Sequence, residues 1–309
     1  MHPVVAIVGP TGVGKSSLAM RIAEQLCGEI VSADSRQVYR HMDIGTAKPT
    51  DQEMALVPHH LINVVNPDED FSLAEYQRLA YDAILDIASR RKLPLLVGGT
   101  GQYVWAVVEG WEIPKVAPDL EFRRQLEERA LRGESVALYE ELLKIDPQAA
   151  QKIDPRNVRR VIRALEVSLR ADAPFSRLRT KSAPPFQTLA IGLTERREEL
   201  YRRVDARVDT MIERGMVEEV RNLAAMGFGF HLPAMSGIGY RQIGEYLQGN
   251  LDLESAVKRI KVETHRFVRH QYNWFRLSDE RIKWYDLEDK ELESKAVAEI
   301  RTFCGCDEG

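Results

Sequence analysis

The chain has 309 residues, 44% hydrophobic and 29% charged, enough to bury the core of one large domain or of a core with a smaller appendage. A formal net charge of −4 argues against a protein that binds nucleic acid through bulk charge, and three cysteines, an odd number, exclude a disulfide framework. Cys304 and Cys306 lack the second pair that a zinc site needs, and no stretch approaches signal-peptide or membrane-spanning character, so a reduced, cytoplasmic protein without a membrane partner is expected.

Val4 to Val8 is a continuous, β-branched run, suited to a strand buried on both faces of a parallel sheet. Gly9, Pro10, Thr11, Gly12, Val13, Gly14, Lys15 and Ser16 follow it and match G-x-x-x-x-G-K-[ST], a loop whose backbone N–H groups surround phosphate oxygens. Leu18, Ala19, Ile22 and Leu26 fall at helical spacing behind it, which gives the strand–loop–helix context of a phosphate-binding loop. In such a loop Lys15 neutralises the terminal phosphate, and the Ser16 hydroxyl ligates Mg²⁺. A second strand, Glu29 to Ser32, ends at Asp34, and a helix from about Leu73 to Arg90 carries Leu79, Ile84, Leu85 and Ala88. The third strand, Leu93 to Val97, ends in Gly98-Gly99-Thr100-Gly101. The alternation predicts an α/β core built on a doubly wound parallel sheet, like that of the P-loop NTPases, with ligands at the carboxyl ends of the strands.

From about Pro114 the strands vanish and helical periodicity continues to about Ala171, followed by a Pro- and Arg-rich linker, Ala173 to Pro185. Residues 114–185 therefore read as a helical insertion into a core formed by 1–113 and 186–309. A short strand, Thr188 to Gly192, re-enters the sheet, and the remainder from about Arg196 reads as mostly helical.

The loop specifies a diphosphate and little about what is attached to it. No acid ends the Leu93–Val97 strand in the Walker-B manner, so an ordinary triphosphatase or small-molecule kinase is not clearly indicated. Asp34 reads equally as a general base toward a bound nucleophile and as a turn or helix-cap aspartate. Thr100 reads equally as a hydroxyl aimed at the same crevice and as an ordinary strand-end threonine. Arg156, Arg159, Arg160 and Arg163 recur as one helical face opposite Val158, Val161, Ile162, Leu165 and Leu169. Arg156–Lys181 holds eight basic and two acidic residues, and Lys258–Arg276 six and one, the latter interleaved with Phe267, Tyr272, Trp274 and Phe275. After Leu277 the balance reverses to ten acids and five bases, so the near-neutral total conceals two basic stretches that favour a polyanion partner. His59 and His60 lack metal spacing, and Trp274 and Phe275 read as packing residues.

Together these residues resemble the tRNA dimethylallyltransferase family from Val5 to about Arg276. The likeness lies in Gly9–Ser16, Ser32-Ala-Asp-Ser-Arg-Gln-Val-Tyr39, Met42-Asp-Ile-Gly-Thr-Ala-Lys48 and Pro58-His-His-Leu-Ile62. It continues in Gly98-Gly-Thr-Gly-Gln-Tyr103, Asn157–Ala164, Arg203–Asp209, Gly237-Ile-Gly-Tyr-Arg-Gln242 and Gln271-Tyr-Asn-Trp-Phe-Arg276. Where the family reads Lys-Arg-Gln-x-Thr-Trp, this chain has Arg269-His270-Gln271-Tyr272-Asn273-Trp274.

The resemblance implies that the loop binds dimethylallyl diphosphate with Mg²⁺, and that the allyl group passes to the exocyclic amine of the adenosine just 3′ of the anticodon. Asp34 would act as the base, Arg207 (or Arg203) would hold the leaving diphosphate, and Thr100 would contact the donor or the flipped nucleotide. Asp34, Ser35, Arg36, Gln37 and Thr100, with Arg123, Arg159, Arg160, Arg163, Gly239, Tyr240, Arg241 and Arg269, would contact the tRNA anticodon stem-loop, with Gln37 facing the adenine edge. A monomer is expected. Two other readings compete: a P-loop kinase for a small metabolite, and an NTP-regulated RNA-binding module without group-transfer chemistry.

Overall fold

A computed structural model of the chain describes residues 1–113, 119–170, 174–176 and 180–305. Expectations that fall on Pro114, Ala171, Ala173 and Cys306 lie outside the described residues. The chain divides into two compact units, Met1–Val108 with Pro184–Gly309, and Glu109–Ala183.

The first unit begins with β1 (His2–Val8), α1 (Lys15–Gln25), β2 (Gly28–Ser32), α2 (Asp51–Leu56), β3 (His59–His60), α3 (Leu73–Ser89), β4 (Leu93–Gly98) and α4 (Gly101–Val108). The second unit contributes α5 (Leu120–Arg129), α6 (Ser135–Ile145), α7 (Pro147–Ala150) and α8 (Val158–Arg170). The chain then returns to the first unit with β5 (Phe186–Thr194), α9 (Arg197–Glu213), α10 (Met216–Ala225), α11 (Tyr240–Leu247), α12 (Leu253–Trp274), β6 (Ile282–Asp286) and α13 (Leu292–Cys304).

The described strands form one parallel sheet in the order β3-β2-β4-β1-β5-β6. Alternate residues serve opposite faces, as the pleat requires. Val5 and Ile7 of β1, Leu93, Leu95 and Val97 of β4, and Leu189, Ile191 and Leu193 of β5 share a core with Leu18 and Ile22 of α1 and Ala296 and Ile300 of α13. Tyr76 of α3 stacks on Tyr103 of α4, with ring centroids 3.7 Å apart.

Register decides where the site lies. Val8 pairs with Gly98 on one side and Gly192 on the other, and Ser32 pairs with Val97. The segments that follow β1, β4 and β2 therefore leave the sheet at one edge. These are the glycine loop, Gly99–Thr100 and Ala33–Gln37.

Two strands escape sequence reading. β3 is two residues long, too short to carry periodicity, and makes Leu93–Gly98 the fourth strand rather than the third. β6 lies in the acid-rich tail and pairs only through β5 at the sheet edge. His59 and His60 are structural here, His60 meeting the buried Glu29 carboxylate at 2.8 Å and His59 its neighbour Val57 O at 2.7 Å. Leu85 and Leu169, expected on apolar faces, are 40% and 50% exposed.

The second unit packs Leu126, Leu138, Leu142, Ile153, Val161, Ile162 and Leu165 into its own small core. No helix among the described residues is long and apolar enough to cross a membrane.

Candidate active site

The loop after β1 owes its path to glycine. Gly12 has φ +83°, and a Cβ there would lie 2.6 Å from Val204 Cγ1 on α9, so only glycine lets the loop rest against that helix. Gly14 in the left-handed region starts α1, with no side-chain cap and no acid in the first turn. Those first N–H groups make no hydrogen bond to a described residue outside the helix and can face an anion, and the helix dipole adds to their pull. Ser16 is exposed at this helix start.

Lys15 lies at the base of the loop, its Nζ 2.7 Å from Pro10 O. Burial of the ammonium, and then the positive charge of Arg207, lower its pKa to about 7, against the opposing pull of Asp34. Burial likewise lowers the pKa of Arg207, and Asp34 again opposes the shift. Lys15, Arg207 and Asp34 thus form one electrostatic group drawn from α1, α9 and the end of β2. Arg203, the alternative diphosphate arginine, is instead turned to Glu195 at 3.4 Å. Among the described residues Arg207 has no hydrogen-bond partner, and it is the arginine that shares the group.

Asp34 is fixed by one oxygen. Its Oδ1 accepts from the Arg36 N–H at 2.8 Å, the turn-aspartate geometry that was the competing reading, while Oδ2 accepts no hydrogen bond from a described residue. The two readings of Asp34 are therefore compatible. Thr100 joins the neighbouring strand ends, its N–H donating to Ala33 O at 3.2 Å and its Oγ1 accepting from Ser35 N at 3.1 Å. Burial pushes the Tyr76 and Tyr103 phenols up, so the aromatic pair by this edge stays neutral.

The remaining predicted contacts divide by what already holds them. Arg36 donates to Pro233 O and Ala234 O at 2.9 and 3.1 Å, so its guanidinium braces the turn ahead of Gly239. The Gln37 amide is committed to Ser32 Oγ at 2.9 Å and to the Thr46 and Ala47 carbonyls. Tyr240 requires a correction: it is 1% exposed and donates to Glu219 at 2.6 Å, so its side chain is not offered to a partner. Arg241 is paired with Glu263, and Arg269 donates to the Tyr201 hydroxyl at 3.0 Å.

The arginine face of the second unit is also corrected. Arg156 lies before α8 and is paired with Asp154 at 2.8 Å. Arg163 and Arg123 both grip Glu166, whose side chain is fully buried, at 2.5 and 2.8 Å. Arg159 and Arg160 are exposed and form no ion pair with a described residue.

Three residues outside the predicted set organise this edge. Glu219 accepts from the Asp43, Ile44 and Gly45 N–H groups at 2.9, 2.7 and 3.1 Å. Lys48, whose side chain is 4% exposed, reaches Asp43 at 2.7 Å and Asn63 at 2.6 Å. Gln271, 3% exposed, bridges Thr11 N and Gly99 O. A signal existed for the last: Gln271 occupies the buried phase of α12 shared by Ala256, Ile260 and Val268. A polar residue at a core position implies a partner.

Family models match most of the chain, IPP transferase over residues 37–278 and isopentenyl transferase over 2–62. A tRNA dimethylallyltransferase of Dehalococcoides mccartyi is 50% identical over 98% of this chain and 93% of its own length. One of Roseiflexus castenholzii is 55% identical over 89% of this chain and 90% of its own. The crystal structure of a tRNA isopentenylpyrophosphate transferase from Bacillus halodurans, 41% identical, aligns over 99% of this chain and 96% of that one with a TM-score of 0.72. A eukaryotic dimethylallyltransferase described as acting on tRNA, 27% identical, aligns over 99% and 80% with a TM-score of 0.81. By sequence and by fold the chain belongs to the IPP transferase family of tRNA dimethylallyltransferases, enzymes of the prenyltransferase class.

Proposed function

We propose that this chain transfers the allyl group of dimethylallyl diphosphate to the exocyclic N6 amine of the adenosine immediately 3′ of the tRNA anticodon. The observation that carries the reading is the grouping of two half-buried cations, Lys15 and Arg207, with Asp34 at one edge of the sheet, beside the uncapped start of α1. The free N–H groups of the loop and the two cations bind the diphosphate. As the carbon–oxygen bond breaks, its electron pair leaves on the diphosphate, and Lys15 and Arg207 stabilise the charge that develops there. The N6 lone pair forms the carbon–nitrogen bond, and Asp34 takes the departing proton at Oδ2. Thr100 holds the Ala33–Ser35 backbone and, through it, the orientation of Asp34.

A loop that neutralises a diphosphate suits Mg²⁺, which keeps several waters and binds through phosphate oxygens and a few protein groups. The exposed Ser16 hydroxyl makes no hydrogen bond to another described residue, and no group of three His, Cys, Asp or Glu competes for the ion among the described residues. Ser16 would hold it, and the ion would neutralise diphosphate charge.

In the first unit the RNA is met by the backbone of Ser35 to Gln37 and by Gly239, Arg241 and Arg269; in the second, Arg159 and Arg160 are exposed, form no ion pair with a described residue and are available to phosphate. Lys15, Asp34, Thr100 and Arg207 all come from one chain, so a monomer suffices. Mass spectrometry of an unmodified anticodon stem-loop incubated with the protein, Mg²⁺ and dimethylallyl diphosphate tests the reading. A gain of one five-carbon unit on that adenosine is expected; no gain, with ATP turned over in parallel, would favour a kinase.

A further inference from the structure

We infer that Gln271 is a positioning residue that sets the spacing between the diphosphate loop and the strand tips that hold Asp34. The inference rests on the prenyl-transfer reading and adds a residue to it. Gln271 Oε1 accepts from Thr11 N at 2.8 Å, and its Nε2 donates to Gly99 O at 2.9 Å. One side-chain amide thus joins the loop after β1 to the segment after β4. Next in the chain, Thr100 joins that segment to Ala33 and Ser35 on either side of Asp34. The bridge needs close approach, since a Cβ on Gly99 would lie 2.2 Å from Gln271 Nε2 and 3.3 Å from Gly9 O. Gln271 also takes one loop N–H out of the set that can face a phosphate, which leaves the N–H groups nearer α1 to bind it.

The chemistry makes spacing matter. The donor carbon must meet an amine whose proton Asp34 collects, while the diphosphate is held from the opposite side. A shift of about 1 Å between those groups costs on the order of 100-fold in rate. It also lets water compete. In that side reaction a water oxygen bonds to the allylic carbon, the diphosphate leaves with the electron pair, and the water proton passes to solvent. The allyl alcohol is the product.

The test compares Gln271→Met, which keeps the volume and removes both hydrogen bonds, with Gln271→Ala. Measured quantities are kcat, KM for the donor, the ratio of allyl alcohol to prenylated stem-loop, and stem-loop affinity. Both variants should lose about 10- to 100-fold in kcat and gain in the alcohol ratio, with stem-loop affinity held within about twofold. A Met variant with wild-type kcat and alcohol ratio would reduce Gln271 to a packing residue and overturn the inference. So would a loss of stem-loop affinity with the ratio unchanged, which would assign Gln271 to RNA contact. If melting shows that the Met variant does not fold, Gly99→Ala breaks the bridge from the other side. The same rise in the alcohol ratio is then expected, and an unchanged ratio overturns the inference. A wild-type protein that prenylates no RNA would fail on its own terms, removing the activity rather than the bridge.

Discussion

Two groups of cations, one in each unit, are used in opposite ways. In the first, Arg207 and Lys15 are half-buried, Asp34 is the one acid among the described residues that acts on both, and partial burial lowers both pKa values. In the second, Arg123 and Arg163 are spent on Glu166, a carboxylate with no solvent exposure. The difference teaches that formal charge says little about charge on offer, because an arginine on a buried acid is structural and one without an acid is available for a ligand.

The sharpest way to break that comparison lies in the first unit. Asp34→Ala should cut transfer by about 10²- to 10⁴-fold, the span typical of a lost general base, while stem-loop affinity measured by filter binding changes little. Near-normal turnover would remove Asp34 from the chemistry. The matching change in the second unit is Glu166→Ala, which leaves Arg123 and Arg163 without their buried partner. Chemical denaturation should register a loss of about 3–5 kcal/mol, as is usual when one member of a buried ion pair is deleted. A stability change near zero would mean that Glu166 does not anchor that unit.

A smaller effect concerns pH. Lys15, with a pKa lowered to about 7, is charged below that pH and loses its charge above it. A diphosphate binds the charged form, so donor affinity should fall as pH rises past about 7, toward tenfold per unit, and binding there should take up a proton. Calorimetry in buffers of different ionisation enthalpy reads the proton directly, and affinity flat from pH 6 to about 9 would contradict the assignment. Smallest in size is the surface test. Replacing Arg159 and Arg160 by alanine should lower the salt dependence of stem-loop binding by about two phosphate contacts. Arg163→Ala should instead act mainly on stability, and a salt slope that responds to Arg163 alone would reverse the comparison.

Much of this is legible in the sequence. Continuous apolar strands, the glycine loop and the helical spacing behind it identify a parallel α/β core and a diphosphate loop, because local sterics and strand burial leave few alternatives. β3 and β6 were not legible, since a two-residue strand has no period and an edge strand in an acidic tail shows little contrast. The candidate set at the sheet edge could be named from motifs, yet its division into exposed, committed and buried members could not. Tyr240 packs inside its lobe, and Arg36 braces a turn.

By itself, then, the sequence determined the local elements and the family, through patterns that act over a few residues. Tertiary structure alone decided which cations have partners, which of Arg203 and Arg207 shares a group with Lys15 and Asp34, and which polar side chain ties the loop to its neighbours. Those outcomes depend on pairs such as Thr11 with Gln271 and Arg123 with Glu166, far apart in the chain and joined only by folding. Periodicity can flag a polar residue on a buried face, as it does Gln271, but it does not name the partner, because partnership is a property of the packed molecule.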